Sequence, residues 1–281
     1  MDNRPIGVFD SGFGGLSAVR ELVKLMPEED IIYFGDTARV PYGTRSRETL
    51  LKYARQDAAF LMTHDVKLIV VACGTVSSIA FSALEASLPI PVIGVVKPAA
   101  EEAVNVTNNK KIAVWGTSAT IKSASFVKAL GLYSGVEVCQ VACPLLVPLV
   151  ENGYIKQDSE ITRLAIREYL MPVKDFGADT LILGCTHFPL ISPLIEDEWH
   201  GTQINSGRQV AKEAKIILDE KGLRSSAPGG HLTICSSDDM EVFRPQAEIF
   251  LYGYKSHDIA DTDGSLPVID YCNRIIDIED Y

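Results

Sequence analysis

Short apolar runs rich in β-branched residues alternate along this chain with longer stretches of helical periodicity. The run Ile6–Phe9, for example, is followed by a helical pattern over Leu16–Leu25. Parallel strands need a crossover between them, usually a helix, so this alternation is typical of parallel sheets. The predicted strands are 6–9, 31–34, 68–72, 111–116, 136–142, 180–183 and 231–235, and the predicted helices are 16–25, 47–63, 76–86, 121–130, 161–174 and 210–221. We predict an α/β protein with mostly parallel sheets flanked by helices.

The alternation runs in two series, which indicates two similar α/β domains with the active site in the cleft between them. Three prolines, Pro89, Pro91 and Pro98, mark the join. We expect the chain to return to the first domain after the second series. The predicted first domain is 1–97 plus 207–255, the second is 98–206, and 256–281 is an acidic, solvated C-terminal tail.

Charge and hydropathy narrow the classes of partner. The chain has 37 acidic and 26 basic residues and a net charge of −11, which argues against nucleic acid as a general ligand. No apolar run approaches the roughly 20 residues that span a bilayer, and residues 1–5 lead into the first predicted strand without a signal-peptide pattern. We expect a cytoplasmic protein with a small-molecule substrate and no membrane partner.

The six cysteines contain no Cys-x-x-Cys pair, so neither a redox motif nor a zinc site has the required spacing. Cys139 and Cys143 have apolar neighbours and are interpreted as buried structural thiols. A chain of 281 residues can bury a core without disulfides. We therefore expect all six thiols to be reduced and no metal to be bound.

Two other cysteines stand at the ends of similar apolar runs. Cys73 follows Leu68–Ala72, and Cys185 follows Thr180–Gly184. Ligands of parallel α/β sheets bind outside the carboxyl ends of the strands, so both thiols should face one crevice. Two thiols on opposite sides of a ligand indicate proton transfer at a carbon centre, because a thiol pKa of ~8.5 needs only a modest shift to act near neutral pH.

The first turn of the chain is rich in glycine and permits two interpretations. Gly12 and Gly14 have the G-x-G spacing of a dinucleotide site, and Asp36 lies where a ribose-binding acid would. However, Ser17 replaces the last glycine of that pattern, and Asp10 places a carboxylate where pyrophosphate would approach. A small carboxylate ligand, bound by backbone amides at the helix start, is the favoured interpretation.

Five segments together resemble the cofactor-independent glutamate racemases of the aspartate/glutamate racemase superfamily, in the same order and with similar spacing up to about residue 253. The segments are Phe9-Asp10-Ser11-Gly12-Phe13-Gly14-Gly15-Leu16, Gly35-Asp36-Thr37-Ala38-Arg39-Val40-Pro41-Tyr42-Gly43, Ala72-Cys73-Gly74-Thr75, Cys143-Pro144-Leu145 through Val150-Glu151, and Gly184-Cys185-Thr186-His187-Phe188-Pro189-Leu190.

The resemblance implies interconversion of L- and D-glutamate, which supplies D-glutamate for peptidoglycan, without metal or organic cofactor and commonly in a homodimer. It implies that Cys73 handles D-glutamate and Cys185 the L-enantiomer. Asp10 and His187, the only histidine in a strand-end motif, are the candidate catalytic partners of these thiols. Asp36 and Glu151 are either supporting or ordinary structural carboxylates. The substrate-binding positions that match the family are Asp10, Ser11, Tyr42, Gly43, Gly74, Thr75, Thr186 and His187.

One position departs from the family pattern. Gly74 stands where the family usually has asparagine, which removes a side-chain amide expected to contact the substrate. Thr117, Ser118 and Thr120 follow another strand and are candidates for either substrate binding or helix capping. Three alternatives stay open: a racemase for aspartate or another acidic amino acid, an NAD-dependent oxidoreductase, and a non-catalytic binding protein such as a gyrase inhibitor.

Overall fold

The computed structural model describes residues 1–252, 267–272 and 275–281. Its strands are β1 (Ile6–Asp10), β2 (Ile31–Gly35), β3 (Leu68–Val71), β4 (Val92–Gly94), β5 (Lys111–Gly116), β6 (Glu137–Ala142), β7 (Thr180–Leu183), β8 (Thr202–Asn205), β9 (His231–Ser236) and β10 (Val268–Tyr271). Its helices are α1 (Leu16–Leu25), α2 (Arg47–Met62), α3 (Gly74–Ile79), α4 (Phe81–Ser87), α5 (Val96–Val106), α6 (Ser118–Ser123), α7 (Ser125–Leu130), α8 (Leu146–Glu151), α9 (Glu160–Phe176), α10 (Ser192–Glu198), α11 (Ser206–Glu220) and α12 (Met240–Tyr252).

The described strands form two parallel sheets. One has the order β10-β9-β2-β1-β3-β4, and the other has the order β6-β5-β7-β8. Each neighbouring pair of described strands runs parallel. All residues of β1, β2 and β3 are buried, because helices cover both faces of the sheet. This coverage explains why these strands are continuous apolar runs rather than alternating ones, and the predicted fold class is confirmed.

A shared apolar core joins the two sheets. Ile6 and Val8 of β1 belong to the same buried cluster as Trp115 of β5 and Leu183 of β7. Helix α1 buries one face against this cluster, since its apolar residues recur at helical spacing. Phe9, which points to the opposite face of β1, packs instead with the residues of α2. The two sheets are therefore held together by packing.

Two predicted helices are each split in the structure. The stretch predicted as one helix over 76–86 is divided between α3 and α4, with Ala80 at the break. The stretch predicted over 121–130 is divided at Ala124, whose φ of 53° lies in the left-handed region. Strands β4 and β8 were not predicted because β4 has only three residues and β8 is largely polar. Within the described ranges, no helix is both long and apolar enough to cross a membrane.

The predicted C-terminal tail contributes to the first sheet. Strand β10 pairs with β9, and Ile276 and Ile278 are buried near α2. The structure also joins Cys235 and Cys272 in a disulfide, with their Cα atoms 5.1 Å apart, so the expectation of six reduced thiols is wrong for this pair. The part of the predicted tail from 256 to 266 lies outside the described residues. The predicted domain boundaries stay a prediction.

Candidate active site

A cavity of about 450 Å³ lies at the carboxyl ends of the strands of both sheets. Asp10 is the last residue of β1, and Cys73 and Cys185 stand two residues beyond the ends of β3 and β7. The two thiols thus come from different sheets and line the same cavity. Cys73 is 5% exposed and Cys185 is 6% exposed, so neither thiol is free in bulk solvent.

The structure brings together nearly all of the residues predicted for the site. The predicted residues that line the cavity are Asp10, Ser11, Tyr42, Gly43, Cys73, Gly74, Thr75, Glu151, Cys185, Thr186 and His187. Asp36 is the exception, since it is fully buried behind the cavity wall. The predicted positions therefore converge on one space, although their individual roles stay predictions.

Cys73 has a carboxyl and a hydroxyl beside it. Its Sγ lies 3.7 Å from Ser11 Oγ. Burial and the nearby charge of Asp10 raise the pKa of the Cys73 thiol far above its ordinary value. Cys73 is accordingly a protonated thiol at neutral pH and suits the role of proton donor.

Asp10 is itself almost completely buried. Burial raises the pKa of its carboxyl, while the charge of His187 and the neighbouring Gly15 and Cys73 act in the opposite direction. Its Oδ2 accepts a hydrogen bond from the Gly15 amide at 2.9 Å. Its Oδ1 is buried and has no hydrogen-bond partner among the described residues. A buried acceptor without a partner costs about 1–3 kcal/mol, so this oxygen is available to a ligand that brings a donor.

Cys185 faces a histidine that is paired with a carboxylate. His187 Nδ1 lies 3.7 Å from Cys185 Sγ, and His187 Nε2 lies 2.9 Å from Glu151 Oε1. Burial lowers the pKa of His187, but the hydrogen bonds with Cys185 and Glu151 outweigh it and raise the pKa from 6.5 to about 10. The ring is therefore protonated at neutral pH and can donate to the sulfur and the carboxylate at once.

The glycine-rich first turn packs directly against the Cys185 segment. A side chain at Gly14 would place its Cβ 2.2 Å from Thr186 Oγ1 and 2.6 Å from His187 Nδ1. Ser17 Oγ donates to the carbonyl oxygen of Thr186 at 2.9 Å. Because Thr186 and His187 fill the space over Gly14, a pyrophosphate has no room to approach the turn there. Gly14 thus serves close packing between the two halves of the site, which removes the main support for a dinucleotide site.

Gly74 makes the corresponding close contact on the other side. A Cβ at this position would lie 2.1 Å from the carbonyl oxygen of Gly184. Beside it, Thr75 Oγ1 lies 3.0 Å from Thr117 Oγ1. The segment that carries Cys73 therefore touches the ends of both β5 and β7, and the absence of a side chain at position 74 sets how closely the two thiol-bearing segments approach.

Asp36 supports the cavity wall from behind. It accepts hydrogen bonds from Tyr42 Oη and from Ser237 Oγ, and Arg39 Nε reaches it at 2.6 Å. Arg39 also reaches Asp57 at 2.8 Å, and burial together with the charge of Asp36 raises the pKa of Asp57 well above its ordinary value. Since Tyr42 lines the cavity, this buried network holds part of the wall in place.

Two further residues line the cavity, of which the sequence left one open between substrate binding and helix capping and did not predict the other as part of the site. Thr117 follows β5 directly and lines the cavity, while its side chain also accepts the Thr120 amide and caps α6, as predicted for at least one residue of this group. Cys143, interpreted as structural, is buried and lines the cavity as well. The position of Thr117 after a strand, like that of Asp10, was the available signal. No group of three metal-ligating side chains occurs among the residues that the structure describes.

Comparison with known proteins gives a consistent result. The Asp/Glu/hydantoin racemase family model matches residues 6–214. The glutamate racemase of Geobacter metallireducens is 46% identical over 220 residues, which are 78% of this chain and 80% of that protein. Glutamate racemase isoform RacE1 from Bacillus anthracis has a TM-score of 0.88 at 35% identity, with 98% of this chain and 100% of that chain covered. The Francisella tularensis glutamate racemase, solved in complex with D-glutamate, has a TM-score of 0.86 at 35% identity and is covered completely, as is this chain.

Proposed function

The chain belongs to the Asp/Glu/hydantoin racemase family, and we propose that it interconverts L- and D-glutamate by proton transfer at Cα between Cys73 and Cys185. The observation that carries this proposal is the position of the two thiols, which reach one cavity from the ends of strands in different sheets. Its relatives at 46% identity and at TM-scores of 0.88 and 0.86 are named glutamate racemases, and one of them was solved with D-glutamate.

The reaction needs one base and one acid on opposite faces of the substrate. From L-glutamate, the Cys185 thiolate removes the Cα proton while the Cys73 thiol delivers a proton to the other face, which yields D-glutamate. The reverse reaction starts with Cys73 as thiolate and Cys185 as thiol. The sum of protons on the two sulfurs is unchanged in each direction, so no oxidant, metal or cofactor enters the balance.

The neighbours of each sulfur fit these roles. The protonated His187 lies beside Cys185, where its charge stabilises a thiolate. Asp10 lies behind Cys73, where its carboxyl can hold a proton that returns the thiol to its starting state. The unpartnered Oδ1 of Asp10 can also accept a hydrogen bond from the substrate ammonium group.

Short polar groups around the cavity can hold the carboxylates of glutamate. Ser11, Gly43, Thr75 and Thr186 line this space, and their hydroxyl or backbone groups are the candidate donors. Each hydrogen bond to a charged group contributes about 1.5–3 kcal/mol. Several such bonds around a small cavity suit an acidic amino acid better than a large or apolar ligand.

Deuterium exchange tests the proposal directly. The protein is incubated in deuterium oxide with each enantiomer of glutamate and of aspartate, and the loss of the Cα proton is followed by NMR. We expect exchange and racemisation with glutamate. Faster exchange with aspartate would support the alternative of an aspartate racemase, and bound nicotinamide absorbance would support the oxidoreductase alternative.

Three single substitutions test the two-thiol mechanism in the same assay. Cys73→Ala and Cys185→Ala should each lower racemisation by at least about 10²-fold, the lower end of general acid–base contributions. Cys139→Ala is the matched control, because Cys139 is a free thiol outside the cavity lining. Substantial racemisation by either cavity variant would refute the two-thiol mechanism, and inactive wild-type protein would favour the non-catalytic alternative.

Three broader expectations belong to the same proposal. A glutamate racemase in the cytoplasm would supply D-glutamate for peptidoglycan. The homodimer implied by the family resemblance stays a prediction, and sedimentation of the purified protein would test it. A requirement for zinc or pyridoxal phosphate, found by dialysis and reconstitution, would count against the proposed mechanism.

A further inference from the structure

Acidic residues outnumber basic ones in this chain, yet four basic side chains line one cavity of about 320 Å³. This basic vestibule consists of Arg45, Arg47, Lys122 and Lys128, and none of the residues that line it carries a carboxylate. The whole chain has a net charge of −11, so the charge of the vestibule is opposite in sign to that of the average surface.

Among the described residues, no carboxylate forms an ion pair with a basic side chain of the vestibule, although Glu85 and Glu213 line an adjoining cavity that shares Arg47 and Lys128 with it. Within the described ranges, Arg45, Lys122 and Lys128 form no ion pair. Arg47 donates from Nη1 to the carbonyl oxygen of Ile79 at 3.2 Å, which leaves its charge uncompensated by a carboxylate. Glu48, the neighbour of Arg47, is exposed and lies outside the lining. The vestibule therefore presents four positive charges to any anion that enters it.

The vestibule adjoins the active-site cavity. Gly43 and Thr44 line both spaces, so they form the edge that the two cavities share. Arg45 and Arg47 come from the segment that leads from this edge into α2, whereas Lys122 and Lys128 lie on α6 and α7, beside the second sheet. An anion in the vestibule would touch both halves of the molecule at the mouth of the site.

We propose that the basic vestibule is an anion-binding entrance, which captures the anionic amino-acid substrate before it passes Gly43 and Thr44 into the cavity. The proposal rests on the proposed function for the identity of the substrate. The negative surface of the chain repels glutamate, whose two carboxylates and one ammonium leave a net negative charge, and the four basic side chains reverse this repulsion at the entrance. Such local fields raise the concentration of a charged substrate near a site and increase its capture rate by about 10–10³-fold at low salt.

The kinetic test uses a double charge reversal, Lys122→Glu/Lys128→Glu, neither of whose positions lines the active-site cavity. At low ionic strength we expect kcat/KM for glutamate to fall about tenfold or more. The difference from wild type should largely disappear near 1 M NaCl, where the Debye length is only about 3 Å. The matched control is Lys174→Glu/Lys221→Glu, which changes the net charge by the same amount at two exposed positions that line neither the vestibule nor the active-site cavity. An equal loss in the control, or a wild-type salt dependence in the vestibule variant, would overturn the proposal.

A binding measurement tests the vestibule without relying on catalysis. Pyrophosphate, a compact multivalent anion, is titrated calorimetrically into the wild-type protein and both double variants. We expect one site in wild type, affinity weakened about tenfold or more in Lys122→Glu/Lys128→Glu, and wild-type affinity in the control. Absence of binding, or equal weakening in the control, would refute an anion site here. If the protein did not racemise glutamate, the proposed function would be refuted, whereas this titration would still show whether the vestibule binds an anion.

Discussion

Replacing Gly74 by alanine or asparagine tests whether this glycine sets the spacing of the two thiol-bearing segments. The new Cβ would lie 2.1 Å from the Gly184 carbonyl oxygen, whereas carbon and oxygen atoms normally approach to about 3.3 Å. One of the two segments must therefore move by roughly 1 Å. The atom that the new Cβ meets is a backbone oxygen, so no rotation of a flexible side chain can relieve the contact. Overpacking of this kind costs about 1–3 kcal/mol, and a 1 Å misplacement of catalytic groups can lower the rate about 10²-fold.

Both variants should show a melting temperature lower by several degrees, at about 2–4 °C per kcal/mol, and a greatly reduced kcat. Considered alone, the missing amide at position 74 favours the opposite expectation, that Gly74→Asn improves glutamate binding, provided that the backbone does not require a positive φ. The φ of Gly74 is not positive, but the position has no room for a Cβ. Gly229→Ala is the control, because nothing lies within 4 Å of the Cβ it would add. An asparagine variant with wild-type melting temperature and a lower Michaelis constant than the alanine variant would refute the steric argument.

Three further predictions concern the charge of His187, the buried Arg39 network and the need for a metal. The contribution of protonated His187 to stability is fully present below pH ~6.5 and is lost as the pH rises through its folded pKa of about 10. Because the hydrogen bond with Glu151 helps to raise this pKa, Glu151→Gln should shift the alkaline fall of kcat to lower pH. Glu196→Gln, which lies beside the exposed His200, should leave that fall unchanged. Arg39→Met leaves Asp36 and Asp57 buried without their cation and should lower the free energy of unfolding by about 3–5 kcal/mol in urea titrations. Asp57→Asn should lower the free energy of unfolding by less, because the raised pKa of Asp57 already disfavours its charged form. Activity should survive dialysis against EDTA, and a loss restored by zinc would contradict the proposed chemistry.

The sequence predicts the elements that depend on local pattern. Strands β1, β3, β5 and β7 are short apolar runs, and the residues that follow them are brought to one crevice by the geometry of parallel sheets. This general rule alone predicts that Cys73 and Cys185 lie near each other. Strand β4, with only three residues, and the polar β8 carry too little periodicity to be recognised.

Tertiary contacts decide what the sequence could not. Asp36 follows β2 and matches the family pattern, yet its carboxylate is fixed behind Tyr42 by Arg39 and by Ser237, which is 201 residues away. The steric role of Gly74 depends on the carbonyl of Gly184, which follows β7 of the other sheet. The Cys235–Cys272 pair depends on the pairing of β9 with β10, which spacing along the chain does not reveal.

The different neighbours of the two thiols lead to a prediction about the empty site. Cys73 is held as a thiol by burial and by Asp10, whereas Cys185 Sγ lies 3.7 Å from Nδ1 of the protonated His187, a cation that favours an anionic neighbour. From this contact we predict that Cys185 is the more reactive of the two thiols in the empty site. The thiolate is the nucleophile in alkylation, so iodoacetamide at neutral pH should modify Cys185 at least about tenfold faster than Cys73, as measured by peptide mass spectrometry. The two residues are almost equally exposed, at 6% for Cys185 and 5% for Cys73, so we attribute a difference in rate to protonation rather than to burial. His187→Gln should remove most of the difference. Faster modification of Cys73, or equal rates in the wild-type protein, would refute this assignment of the resting protons.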